Sequence, residues 1–254
     1  KLGLAQFPIV MGGVVVAFNL DSVEAGALRL TGPLLARIYL GNIQRWSDPA
    51  LQAINPSLKL PDAPIRVLHR SDGSGTTYNF SEYLSKVNPD WKRAHGAGLL
   101  IAWPTGTGAK GNEGLAQAVK ATPNSIGYVE YAQATQLKLK PALLQNRAGS
   151  FVRPGPGSFQ AAFASVDWSK AKDFDVLLVD APGGEAYPLA ATVFALMRKQ
   201  GDGARTRGAL DFFRWSLQHG TATASRLGYV PLPRALVQKI EAYWATAFGA
   251  GLAS

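Results

Sequence analysis

Ile65-Arg66-Val67-Leu68-His69-Arg70-Ser71-Asp72-Gly73-Ser74-Gly75-Thr76-Thr77 decides how this chain is read. Apolar residues at Ile65, Val67 and Leu68 alternate in part, which predicts a largely buried strand over 65–69. Ser71 to Gly75 is a loop of small residues. After it, Phe80, Tyr83, Leu84 and Val87 recur at i, i+3, i+4 and i+7, one face of a helix. Strand, Gly-rich loop and helix in this order leave unpaired backbone N–H groups at the positive end of the helix dipole. Ser74, Thr76 and Thr77 add hydroxyls, and Arg70 adds a guanidinium fork. The natural guest is a compact oxyanion such as phosphate or sulfate. A plain turn with an N-cap fits the same local pattern. No Lys-Ser/Thr pair follows the glycines, so this is not a Walker loop, and their spacing is wrong for a dinucleotide fingerprint.

Working outward, Leu99 to Trp103 predicts a short strand, followed by a second Gly-rich loop, Thr105 to Gly114. Asn112 is the expected N-cap of the helix carrying Leu115, Ala118 and Val119; a plain turn with a cap is the favoured local reading, and a second anion wall with Lys110 nearby the alternative. Ser125 to Tyr131 reads as a strand entering a helix. Upstream, Gln6 to Asn19 reads as one or two buried strands around a Gly12-Gly13 break, Thr31-Gly32-Pro33 as a helix start, and Ser47-Asp48-Pro49 as another. Downstream, Val176 to Val179 and Pro188 to Met197 could each hold a strand. A helix with Leu210, Phe213 and Leu217 stops at Gly220, and the last helix starts at Pro233 with the stripe Leu236, Val237, Ile240, Trp244 and Phe248. Strands alternating with helices give an α/β class.

The chain has 254 residues, 47% of them apolar, enough for a substantial core. Its 26 Lys and Arg exceed its 17 Asp and Glu, for a net charge of +9. The basic residues are scattered, without a run of five or six, which argues against a nucleic-acid-binding arm. With no cysteine, disulfides, thiolate nucleophiles and Cys-ligated metals are excluded together. His69, His95 and His219 lie in no metal-ligand spacing. No apolar run reaches the ~18 residues of a membrane span, and the first residues lack a signal-peptide layout. No cofactor is expected.

Five stretches together resemble a known family. They are Gln6-Phe7-Pro8 with Gly12-Gly13-Val14-Val15; Ile38-Tyr39-Leu40-Gly41 with Ile43 and Trp46; Arg70 to Thr76; Lys110-Gly111-Asn112 with Gly114; and Ser125 to Tyr131. Leu227-Gly228-Tyr229 with Pro231-Leu232-Pro233 also fits. Their order and spacing resemble the phosphate-binding protein of the bacterial high-affinity phosphate ABC transporter. The resemblance implies a type II periplasmic-binding fold of two α/β lobes closing over phosphate in the cleft between them. Residues 14–187 would form one lobe, and residues 1–13 and 188–254 the other. It implies that Arg70, Ser74, Gly75 and Thr76 donate to phosphate, and that Asp72 holds the Arg70 guanidinium. It further implies a periplasmic, monomeric receptor, delivering phosphate to the permease of an ABC transporter without chemistry. A phosphate-ester hydrolase is the alternative in enzyme form, and an adhesion or interaction protein the alternative without ligand. Family members begin with a further segment carrying another phosphate loop, a Ser donor and an Asp that accepts a proton. None of these groups can be assigned in this chain; the native protein is expected to possess that segment, the alternative being a real truncation that leaves the site half-built.

Overall fold

The computed structural model describes residues 3–168 and 171–249. The strands are β1 (Leu4–Asn19), β2 (Arg29–Leu30), β3 (Arg66–Arg70), β4 (Thr107–Ala109), β5 (Ser125–Glu130), β6 (Lys140–Pro141), β7 (Leu143–Gln145), β8 (Phe151–Val152) and β9 (Ala190–Arg198). The helices are α1 (Gly32–Tyr39), α2 (Pro49–Ile54), α3 (Gly75–Val87), α4 (Pro89–Ala94), α5 (Gly111–Ala121), α6 (Tyr131–Gln136), α7 (Pro156–Ala164), α8 (Gly203–His219), α9 (Thr221–Arg226) and α10 (Arg234–Phe248). One sheet runs β4-β3-β5-β1-β6, with β9 also paired to β1. In it β3 is parallel to β4 and β5, whereas β1 is antiparallel to β5 and β6. A smaller sheet runs β2-β7-β8.

Contacts within the chain divide it into two units. The first comprises Lys1–Gly12, Asp167–Leu177 and Thr192–Ser254; the second comprises Gly13–Val166 and Leu178–Ala191. In the first, Phe7 meets Phe213 and Trp244 edge-on, at centroid separations of 5.3 and 5.1 Å. The predicted stripe of α10, from Leu236 to Phe248, is buried as expected. Met11 and Val230 exchange backbone hydrogen bonds of 2.9 and 2.8 Å, tying the first strand to the loop before α10.

In the second unit, aromatic rings fill the space between the sheet and the helices. Phe80 of α3 stacks on Tyr128 of β5 at 4.3 Å, and Tyr39 of α1 packs edge-on against Phe80 at 4.7 Å. Helix starts follow the local chemistry. Thr31 caps α1 by accepting from Leu34 N–H, Asp48 caps α2, and Asn88 caps α4 ahead of Pro89. Among the described residues no helix is long and apolar enough to cross a membrane.

Several expectations need correction. Gly12-Gly13 does not break the strand: β1 is continuous for 16 residues. Gly13 is there for space, since a Cβ on it would lie 2.2 Å from the Phe159 ring, and Phe159 is fully buried. Leu99 to Trp103 is irregular, because its backbone serves the neighbouring loop: Leu99 C=O accepts from Ser74 N–H at 2.8 Å. Val176 to Val179 holds only an isolated bridge, from Val179 to Leu189. The strand predicted at 65–69 lies one residue later, so that Arg70 is its last residue.

Gly13→Ala is expected to destabilise the fold by roughly 1–3 kcal/mol, the usual cost of overpacking a filled core. Gly12→Ala, whose Cβ would meet the Tyr229 ring at an ordinary 3.6 Å, should cost less. Urea midpoints of the two variants check the contrast; equal losses would contradict it.

Candidate functional site: the Arg70 loop

Arg70 ends β3, and its side chain is almost fully buried. A buried guanidinium needs a counter-charge, and Asp72 supplies it two residues on. Arg70 Nε donates to Asp72 Oδ1 and Nη2 to Asp72 Oδ2, both at 2.7 Å, the parallel two-bond arrangement of a strong pair. Asp72 is itself held by Gly111 N–H, which donates to Oδ1 at 3.0 Å from the first residue of α5. Hydrogen bonding by Arg70, then by Gly111, holds the Asp72 carboxyl well below the usual carboxylate range. The same pairing raises the Arg70 pKa further.

Ser74 caps α3, accepting from Thr77 N–H at 3.2 Å. Its hydroxyl hydrogen remains available to another acceptor. The N–H groups of Gly75 and Thr76, the next two residues, have no partner among the described residues, as expected for the first turn of a helix. That turn contains no acidic residue to occupy the positive end of the dipole. Gly75 is exposed, Thr76 half-buried and Ser74 buried, so the donors run from the surface inward.

The loop is fixed from below by Tyr128. Arg70 N–H donates to the Tyr128 hydroxyl at 3.0 Å, and Tyr128 shares a 2.8 Å hydrogen bond with Thr77 Oγ1. Burial pushes the Tyr128 phenol up to about 12, so it stays a neutral linker. Thr77, expected to offer its hydroxyl outward, is fully buried in this linkage. His69 stacks on Trp103 at 4.9 Å, and burial lowers its pKa.

The structure thus gathers Arg70, Asp72, Ser74, Gly75 and Thr76 at one edge. It also brings in a residue that the sequence reading assigned elsewhere. Asn112 is not the N-cap of α5, which is the exposed Lys110. It sits in the first turn, where its Oδ1 accepts from Arg70 Nη1 and, at 3.3 Å, from Thr76 Oγ1. Its Nδ2 donates to Glu130 Oε2 at 3.1 Å. The only sequence signal for this role was the Lys110-Gly111-Asn112 stretch already noted. Among the described residues, no group of three or more His, Asp or Glu could hold a metal ion. The arrangement favours a small ligand rich in acceptors.

The chain is similar along most of its length to proteins of known name. The PBP superfamily domain matches residues 1–219. A phosphate-binding protein PstS of Xylella fastidiosa is 54% identical over 249 residues, covering 98% of this chain and 68% of that protein. The chain belongs to the PstS family of phosphate-binding proteins. A second member, from Pasteurella multocida, is 47% identical over 244 residues, covering 96% of this chain and 71% of its own length. The fold agrees with that of a high-affinity periplasmic phosphate-binding protein (PfluDING) solved with phosphate bound. The TM-score is 0.73 at 20% identity, over 94% of this chain and 71% of that one. The α/β architecture is therefore that of the periplasmic binding proteins.

Two predictions follow the geometry. Tyr128→Phe removes the acceptor of the buried Arg70 N–H, and should cost about 1–3 kcal/mol of stability, read as a lower urea midpoint. Asp72 has a depressed pKa in the fold, so its contribution is present at neutral pH and is lost as pH falls below the unfolded value of about 4. Asp72→Asn should therefore flatten the acid side of the stability profile below about pH 4, as followed by circular dichroism. An unchanged acid limb would contradict the pairing.

Proposed function

We propose that this protein is an extracytoplasmic receptor that binds inorganic phosphate and delivers it to the permease of an ABC transporter. The observation that carries the reading is the convergence at one edge of the paired Arg70 guanidinium, the Ser74 and Thr76 hydroxyls, and the open N–H groups of Gly75 and Thr76. The relatives named above as phosphate-binding proteins support phosphate over other oxyanions.

In this reading Arg70, Ser74, Gly75 and Thr76 donate to phosphate oxygens. Asp72 does not touch the ligand; it aims the guanidinium and keeps it from swinging to solvent. Arg70 keeps two N–H groups beyond those given to Asp72 and Asn112, enough for an anion to bridge Nη1 and Nη2. The ligand is bound and released unchanged, in the periplasm, with no cofactor.

Calorimetry with phosphate and with sulfate tests the proposal. Phosphate should bind, without turnover of phosphate esters. Arg70→Ala should weaken binding by about 100-fold or more, since it deletes at least two charge-assisted hydrogen bonds. Asp72→Asn should weaken it less, through lost orientation. Absence of phosphate binding by the native protein would overturn the receptor reading. An unchanged dissociation constant in Arg70→Ala would remove Arg70 from the site.

A further inference from the structure

Asn112 and Glu130 come from different elements, the first turn of α5 and the end of β5, and Asn112 links Glu130 to the Arg70 guanidinium. The direction of the Asn112 amide follows from chemistry alone. A guanidinium offers only donors and a carboxylate only acceptors. With Nδ2 on Glu130 Oε2 at 3.1 Å, Oδ1 must face Arg70 Nη1 and the Thr76 hydroxyl. Asp72 holds Nε and Nη2, but it reaches no other nitrogen of Arg70. Nη1 is held by Asn112.

We infer that Asn112, oriented by Glu130, is a positioning residue for anion binding, fixing Arg70 Nη1 and drawing the Thr76 hydroxyl to the same point. Its effect on affinity rests on the phosphate reading above. Without ligand, Asn112 Oδ1 is a resident acceptor shared by two donors that reach for the anion. The Thr76 contact, at 3.3 Å, is long for a hydroxyl bond, so an anion oxygen can take that hydrogen. The Arg70 contact is short and persists, because Nη1 carries a second hydrogen. Asn112 thus ties β3, α3 and α5 to one oxygen atom, and the donors stay convergent before the ligand arrives.

The roles can be exchanged with almost no change of shape. Asn112→Asp keeps an acceptor for Arg70 but sets a carboxylate against Glu130. Glu130→Gln offers Asn112 both a donor and an acceptor, so its amide can turn and present N–H to Arg70. Each single variant should weaken phosphate binding about tenfold, the scale of one charge-assisted hydrogen bond. The double variant restores the donor-to-acceptor order, with the introduced amide donating to the introduced carboxylate, and should return to within about threefold of the native value. A double variant no tighter than the singles overturns the inference.

A second measurement needs no ligand. In side-chain nitrogen NMR of the anion-free protein, Asn112→Ala should shift the Arg70 Nη1 signal and speed its hydrogen exchange, while Nε, held by Asp72, stays in place. Equal behaviour of both nitrogens overturns the inference. If the native protein fails to bind phosphate, the receptor reading falls, and the NMR result alone decides the role of Asn112.

Discussion

The Arg70–Asp72 pair governs the rest of the site. An arginine that is 7% exposed is tolerated only where its charge is matched and its donors are used. Asp72 matches the charge, and Gly111 N–H keeps Asp72 from rotating away. This couples the end of β3 to the start of α5. The loop between Arg70 and α3 must therefore turn sharply enough for a residue two positions on to face back. That turn places no special demand on Gly73 or Gly75, since a Cβ at either would meet open space and neither has a positive φ.

Beneath the pair, the aromatic packing gives the loop a rigid base. Tyr128 belongs at once to the core and to the site. Its ring stacks on Phe80, and its hydroxyl receives Arg70 N–H and joins Thr77. Phe80 and Thr77 both belong to α3, so Tyr128 sets where that helix starts as well as where β3 ends. In the proposed phosphate reading this support matters, because donors held loosely lose much of their interaction with a small anion.

Much of this was legible locally. The strand, loop and helix from 65 to 87 could be read from period and glycine placement, as could the α10 stripe and the Thr31 cap. These features depend on residues a few positions apart. Asn112 was misread for the complementary reason. Asn before an apolar stripe predicts a cap, and nothing nearby reveals that a buried Arg 42 positions away competes for its oxygen. Gly13 likewise read as a break, since the Phe159 ring that requires its missing side chain lies far along the chain. Leu99 to Trp103 had the composition of a strand, but one of its carbonyls is committed to the Ser74 loop.

In the proposed phosphate reading, the charges of the network bear on how the anion is recognised. Arg70 carries one positive charge, and Asp72 and Glu130 are two carboxylates joined to it directly or through Asn112. With two carboxylates against one guanidinium, these groups give no net attraction for an anion, despite the +9 of the whole chain. What remains is directional: the outer N–H groups of Arg70, the α3 hydroxyls, and backbone N–H groups at a helix start with no acidic side chain in its first turn. Such a site gains little from an anion that merely carries charge, because the carboxylates offset long-range attraction. It gains much from one whose oxygens fall on the fixed donor directions, since each charge-assisted bond is then made at full strength in a partly desolvated edge. Balancing the guanidinium with carboxylates thus shifts discrimination from charge to geometry, and geometry is what the Tyr128 and Asn112 contacts hold fixed.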